Sequence, residues 1–147
     1  MITVSVIIPV FNAAAFVRQA VESALAQPET AEVILIEDGS SDESLGICQA
    51  LNEKYEKVRL FRHPGGANNG AGASRNLGII NARFEYIAFL DADDYYLPGR
   101  FTRAREIFKS DQKCEGVYKA IGTYVEDNAG RERWAAANRR IDELTTM

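Results

Sequence analysis

Cysteine, histidine and tryptophan are scarce in this chain of 147 residues, with two, one and one respectively. Cys48 and Cys114 lie far apart without Cys-x-x-Cys spacing, which argues against a zinc framework or a dithiol redox pair and leaves reduced, structural thiols. The single histidine, His63, has no nucleophile pattern around it and reads as a turn or surface residue. Neither a Gly-x-Ser-x-Gly elbow nor a His-Glu-x-x-His helix is present. No Gly-Lys-Ser/Thr phosphate loop occurs either. Long apolar runs are also lacking: Val4 to Val10 falls far short of the roughly 20 residues that span a bilayer, and no basic segment precedes it as in a signal peptide. The expectation is a soluble, cytoplasmic chain. There is no internal repeat, linker or low-complexity tract.

Apolar residues make up 46% of the sequence, enough for a core without disulfides or a structural metal, and the length predicts a single domain over residues 1–147. The formal net charge of −4 argues against a nucleic-acid groove, and any bound phosphate would need local neutralisation by a divalent cation or a few arginines.

Strands and helices alternate from the first residues. Thr3 to Ile8 is rich in β-branched side chains and stops at Pro9, as a strand buried on both faces of a parallel sheet would. Asn12 is placed to cap a helix bearing Phe16, Val17, Ala20, Val21, Ala24 and Leu25. A strand over Glu32 to Glu37 leads through Gly39, Ser40, Ser41 and Asp42 into a helix carrying Leu45, Cys48, Leu51 and Tyr55. After a third strand, Val58 to Arg62, residues 64–72 hold four of the eleven glycines and read as a flexible loop. A helix with Ala73, Leu77 and Ile80 on one face follows, then a strand over Tyr86 to Leu90. Pro98 opens a fourth helix with Phe101, Ala104 and Phe108. Beyond a core of residues 1–112, a strand is expected over Gly116 to Glu126 and a helical face over Trp134, Ala137, Ile141 and Leu144. Four βα units in succession predict an α/β fold: a Rossmann-like, doubly wound, mostly parallel sheet with helices on both faces.

In such sheets ligands bind outside the carboxyl ends of the strands, where strand order reverses. Strand 1 ends in Pro9-Val10-Phe11-Asn12, strand 2 in Glu37-Asp38-Gly39 and strand 4 in Asp91-Ala92-Asp93-Asp94; a strand order of 3-2-1-4 would make these ends neighbours. Asp91, Asp93 and Asp94 offer hard oxygen donors that suit Mg²⁺ or Mn²⁺, and through it a diphosphate. The same three carboxylates could equally be a solvated acidic turn. Glu37-Asp38 could accept hydrogen bonds from a base or ribose, or simply cap the next helix. Phe11 could stack on a base or close the edge of the core. Arg75 stands at the start of a helix behind a glycine loop, a suitable place for a phosphate or for an ordinary surface arginine. Lys54, Lys57 and Arg59 read as a mixed-charge surface. Arg100, Arg103 and Arg105 form a solvated face with salt bridges to Asp94 or Glu106 open to them.

Taken together, Val4 to Asn12, Ser23 and Gln27, Val33 to Asp42, Ser74 to Ile79 and Tyr86 to Asp94 resemble the family 2 glycosyltransferases, inverting enzymes of the GT-A fold that use nucleotide-activated sugars. The likeness runs from Thr3 to about Ser110, and the ordered set is far more specific than any one motif. It implies that Pro9, Val10, Phe11 and Asn12 lie beneath the nucleobase, with Phe11 in place of the usual tyrosine. It further implies that Glu37, Asp38 and Gly39 adjoin the nucleoside, that Arg75 lies near the donor phosphates, and that Asp91, Ala92 and Asp93 form the family's Asp-x-Asp motif. Asp91 then sits near the ribose, Asp93 is the chief metal ligand, and Asp94 is a supporting or sugar-contacting group. The implied cofactor is Mn²⁺ or Mg²⁺ and the favoured donor a UDP-sugar.

The implied reaction is inverting transfer of the sugar to an acceptor hydroxyl with a carboxylate base. The family's base lies further along the chain than the 54 residues after Asp93 allow. Glu126 and Asp127 do not match its position, so no base is assigned. The chain is accordingly expected to be the donor-binding half of a longer protein. The acceptor, whether saccharide, lipid-linked or protein, is not specified. Polysaccharide assembly, peripheral to the inner membrane in the full-length protein, is a setting by analogy only. The alternative is a noncatalytic module that keeps the nucleotide pocket for binding or assembly. A nucleotidyltransferase fits less well, because Val10-Phe11-Asn12-Ala13 replaces its glycine-rich basic loop. A flavodoxin-like domain explains the alternation but not the motifs.

Overall fold

The computed structural model describes residues 2–117. The chain divides after Cys114 into two compact units. The strand expected over Gly116 to Glu126 lies almost wholly, and the helical face from Trp134 to Leu144 wholly, outside the described residues. The first unit runs β1 (Val4–Val10), α1 (Val17–Leu25), β2 (Thr30–Glu37), α2 (Ser44–Lys54), β3 (Val58–Arg62), α3 (Gly70–Asn81), β4 (Tyr86–Phe89) and α4 (Thr102–Ser110). The four strands are all parallel, in the order β3-β2-β1-β4. This is the doubly wound, Rossmann-like arrangement the alternation predicts, and it sets the ends of β1, β2 and β4 side by side.

Both faces of the sheet are covered. On one, Val4, Val6, Ile8 and Val10 of β1 pack with Val17, Ala20, Val21 and Ala24 of α1 and with Cys48 and Leu51 of α2. Tyr96 and Phe101 close the same core, their rings edge-on at 5.5 Å. On the other face Ile7, Ile34 and Ile36 pack with Phe61, Leu77 and Ala82. Burying aliphatic side chains on both faces removes apolar surface at about 25 cal/mol per Å², which stabilises the central strands most.

Four local expectations are corrected. Pro9 lies inside β1 and does not end it. The Ile7 carbonyl accepts from the Leu90 N–H of the β4 side and the Val10 carbonyl from the Asp38 N–H of the β2 side. Pro9 therefore presents its missing donor toward β4, whose pairing has already stopped at Phe89, and no ladder bond is lost. Second, α3 begins at Gly70, inside the stretch expected to be loop, so Arg75 stands in its second turn. Third, that helix turns Ser74 and Gly78 to the sheet and leaves Ile80 80% exposed. A Cβ on Gly78 would overlap the Ile7 side chain, so close approach selects the small face of the helix. Fourth, Pro98 does not open α4: Gly99, at φ +74°, turns the chain first, and the helix starts at Thr102.

The basic residues also differ from a plain charged surface. Arg59 donates to the buried Glu32 carboxylate at 3.0 Å and to the Asn81 carbonyl at 2.8 Å. Ser5 Oγ and the Arg83 N–H complete the shell of Glu32, at the end of the sheet away from the strand ends described next. Arg103 pairs with Glu106 and Arg105 with Glu29, while Arg100 lies over the Tyr96 and Phe101 rings.

Candidate nucleotide-binding site

A cavity of about 260 Å³ opens at the carboxyl ends of β1, β2 and β4. Pro9, Val10, Phe11, Asn12, Asp38, Asp91, Ala92 and Asp93 line it, and so do Ala13, Phe16 and Ala71. Its two rings, Phe11 and Phe16, are about half exposed. Two half-exposed aromatics around a polar floor suit the flat face of a base, which gains little from water and much from a ring.

The exits of β1 and β2 are tied to each other. Asn12 adopts φ +49°, and its Oδ1 accepts from the Ser41 N–H at 2.8 Å. Asn12 N–H donates to Ser40 Oγ and Ala13 N–H to Ser44 Oγ. Asn12 is thus a clasp between two strand ends and does not cap α1, which starts at Val17 after a turn closed on the Ala13 carbonyl. Asp42 accepts from Ser44 N–H, as expected of a residue leading into α2, and also from Ala14 N–H. The Ser44 hydrogen bonds pull its carboxyl below the usual range.

Glu37, Gly39 and Arg75 do not line the cavity. Glu37 is fully buried; its Oε1 accepts from the Ser40 N–H at 2.6 Å and its Oε2 from Arg62 Nε at 2.7 Å. Burial alone would raise its pKa, but the Ser40 and Arg62 hydrogen bonds outweigh it and the net shift is downward. Gly39, at φ +73°, is a close-packing turn, since a Cβ there would meet the Gly66 carbonyl at 2.8 Å and the Asn68 nitrogen at 2.9 Å. Arg75 reaches across to Asp91, Nη2 to Oδ1 2.5 Å. The arginine of α3 therefore holds the first carboxylate of the acidic corner.

Asp38 lines the cavity, yet it also caps α3. Its Oδ1 accepts from the Asn69 N–H at 2.7 Å and its Oδ2 from the Gly70 N–H at 2.9 Å. A carboxylate has about four acceptor positions, so two remain after these bonds. His63 opens a turn, as expected, its carbonyl accepting from the Gly66 N–H at 2.9 Å, but its side chain is not on the surface: it is largely buried beside Asp38 and Ser74.

At the acidic corner Asp91, Asp93 and Asp94 are all exposed. Partial desolvation and the neighbouring Asp93 and Asp91 raise the pKa of Asp94, which shows how closely the three charges crowd. Among the described residues no three His, Cys, Asp or Glu side chains gather tightly enough to hold a metal alone. Two oxygen donors beside an open cavity nonetheless fit a hard cation that completes its shell with water and phosphate oxygens.

The segment after this corner is fastened by two side chains, Ser23 of α1 and Gln27 just beyond its end. Ser23 Oγ accepts from the Tyr96 N–H at 2.9 Å. The buried Gln27 donates to the Leu97 carbonyl at 3.2 Å and accepts from the Arg100 N–H at 3.0 Å. The Tyr96 hydroxyl, its pKa pushed up to about 12 by burial, donates to the Phe89 carbonyl at 2.9 Å. Gln27→Ala leaves two backbone groups of this segment without partners, at a cost of about 1–2 kcal/mol. Hydrogen exchange of the Arg100 amide is expected to accelerate accordingly; an unchanged rate would contradict the clasp.

Sequence reasoning missed Phe16, Ala13 and Ala71 as cavity residues. By spacing Phe16 fits the α1 stripe, but Val17, Ala20, Val21 and Ala24 complete that stripe without it. A surplus aromatic just past a strand end was the available signal. Ala13 and Ala71 carry no chemical signature.

The model of a known family, Glycosyl transferase family 2, matches residues 5–144. An uncharacterized glycosyltransferase of Haemophilus influenzae is 42% identical over 93 residues, covering 63% of this chain and 36% of its own length. The succinoglycan biosynthesis protein ExoU of Rhizobium meliloti is 41% identical over 97 residues, covering 66% and 28%. The chain thus spans only about a third of the length of these relatives. Among solved structures, Staphylococcus aureus TarS 1-349 in complex with UDP-GlcNAc superposes with a TM-score of 0.64 at 23% identity, over 80% of this chain and 37% of that one. The mannosyltransferase PcManGT of Pyrobaculum calidifontis, in complex with GDP-Man and Mn²⁺, gives 0.59 at 22% identity, over 71% and 31%. With the strand order, the cavity and the family match in agreement, this chain belongs to glycosyltransferase family 2.

Proposed function

We propose that this chain binds the donor of an inverting glycosyltransferase, a nucleoside-diphosphate sugar and by preference a UDP-sugar, with Mn²⁺ or Mg²⁺. The observation that carries the reading is the cavity itself, which joins two half-exposed aromatic rings, a buried carboxylate and two exposed aspartates at the carboxyl edge of a parallel sheet. Two solved neighbours, in complex with UDP-GlcNAc and with GDP-Man and Mn²⁺, support it.

The roles follow from position. Phe11 presents a face to the base. Asp38, pinned by two amides, keeps an acceptor position for a base N–H or a ribose hydroxyl. The first turn of α3 adjoins the cavity at Ala71, where its positive end favours phosphate. Asp91, held by Arg75, and Asp93 are the residues that would hold the cation, which supplies charge neutralisation for the departing diphosphate when bound. In the chemical step an acceptor oxygen bonds to the anomeric carbon as the carbon–oxygen bond to the diphosphate breaks, and a base takes the acceptor proton. None of the described residues is assigned as that base.

Calorimetric titration of the chain with UDP, with and without Mn²⁺, tests the reading. The expected result is saturable binding that requires the cation and is weaker for GDP; no heat at millimolar UDP would overturn it. Transfer of sugar by the chain would separate the enzyme from a binding module that merely keeps the pocket.

A further inference from the structure

At the back of the cavity, three largely buried polar side chains meet. Asp38 follows β2, His63 follows β3 and Ser74 lies on the inner face of α3. The Asp38 and His63 side chains are 3% and 10% exposed, and Ser74 is fully buried. His63 Nε2 stands 3.1 Å from Ser74 Oγ and 3.6 Å from Asp38 Oδ1.

The chemistry of the ring nitrogen follows from this placement. A bare Nε2 could accept from the Ser74 hydroxyl, but its lone pair would also lie 3.6 Å from a carboxylate oxygen in a site with little water to screen the repulsion. A protonated Nε2 instead donates to Ser74 Oγ and presents positive hydrogen to Asp38. The buried carboxylate then has positive or donor groups on three sides, namely the Asn69 and Gly70 amides and the imidazole edge. The residue itself lines the cavity. Arg62, next in sequence to His63, is engaged by Glu37 and so does not take over this task.

We propose that His63 is a positioning residue for the nucleoside-binding carboxylate: its Nε2–H, braced by Ser74, fixes the orientation in which Asp38 receives the base or ribose. The inference rests on the nucleotide reading above and adds a residue that touches no ligand itself. An acceptor held in one orientation before binding loses less freedom on complex formation, so its support is felt as affinity.

Because His63 is the only histidine in the chain, its imidazole nitrogens can be observed without assignment by exclusion. Long-range proton–nitrogen NMR of the ligand-free chain is expected to show hydrogen on Nε2; a bare Nε2 overturns the proposal whether or not nucleotide binds. In calorimetry with UDP and Mn²⁺, His63→Leu is expected to weaken binding about tenfold, the effect of losing a polar N–H that stands 3.6 Å from a buried carboxylate. His63→Gln, whose amide N–H can reach the same place, is expected to recover affinity to within about threefold of the unaltered chain. Equal affinity for His63→Leu and the unaltered chain overturns the proposal, and so does a His63→Gln as weak as the leucine variant. If His63→Leu does not fold, the glutamine variant and the tautomer decide. Should the unaltered chain bind no UDP, the nucleotide reading falls, and the tautomer alone judges the placement of His63.

Discussion

Asp93→Ala is expected to abolish cation-dependent UDP binding, weakening it by at least about a hundredfold, the order expected when a principal charged contact to the ligand is removed. Asp93 lines the cavity and is exposed, and among the described residues it makes no hydrogen bond or ion pair. Nothing in the described fold leans on it, so the melting temperature of the variant should stay that of the parent, within about 0.5 kcal/mol of stability. Asp91→Ala provides the contrast. It too lowers affinity, but it also releases Arg75 into the site, where the guanidinium can meet phosphate directly. The loss should therefore be smaller and less dependent on Mn²⁺. Calorimetry with and without Mn²⁺ on both variants reads the difference. Retained Mn²⁺ dependence in Asp93→Ala would remove that residue from the cation site.

Arg62→Met is expected to destabilise the fold by about 2–3 kcal/mol, measured by urea unfolding. The pair it breaks is asymmetric: Glu37 is fully buried, whereas the Arg62 side chain is 41% exposed. Removing the arginine leaves a buried carboxylate with the Ser40 amide as its chief partner, and uncompensated buried charge is what makes such losses large. The figure sits below the usual range because water reaches part of the pair. Removing the acid instead leaves an arginine that can turn to solvent, so Glu37→Gln should cost less. In the parent the folded-state pKa of Glu37 is depressed, so its stabilisation is present above the ordinary carboxylate range and lost as pH falls below about 4. In Arg62→Met burial dominates and the carboxyl can relieve its strain by taking a proton. The gap between parent and variant should therefore narrow on acidification; a gap independent of pH would contradict the assignment.

Much of the fold was legible because burial on both faces of a parallel sheet writes runs rich in β-branched and aliphatic side chains, as at Val4 to Ile8 and Val33 to Ile36. The cavity was legible for a related reason. Doubly wound sheets put ligands at strand ends, and Pro9 to Asn12, Asp38 and Asp91 to Asp93 are strand-end residues that line one cavity. What stayed hidden depends on partners distant in sequence. Glu37 looked like a ligand contact, but Arg62, 25 residues on, claims it. Asn12 looked like a helix cap, but Ser41, 29 residues on, supplies the donor it accepts. Asp38 was weighed as a cap for the next helix and instead caps the one after. The rotation of α3 was illegible too, because the sheet selects its side by the absence of a Cβ at Gly78, while hydrophobic spacing alone favoured Ile80.

The most direct test of the account is a crystal structure of the chain grown with UDP and Mn²⁺, read by the anomalous signal of manganese. The account predicts the uracil against the Phe11 ring, an Asp38 oxygen within hydrogen-bond distance of the nucleoside, and the manganese peak between Asp93 and the diphosphate. Nucleotide bound elsewhere on the molecule, or manganese without a carboxylate from Asp91 or Asp93, would contradict it.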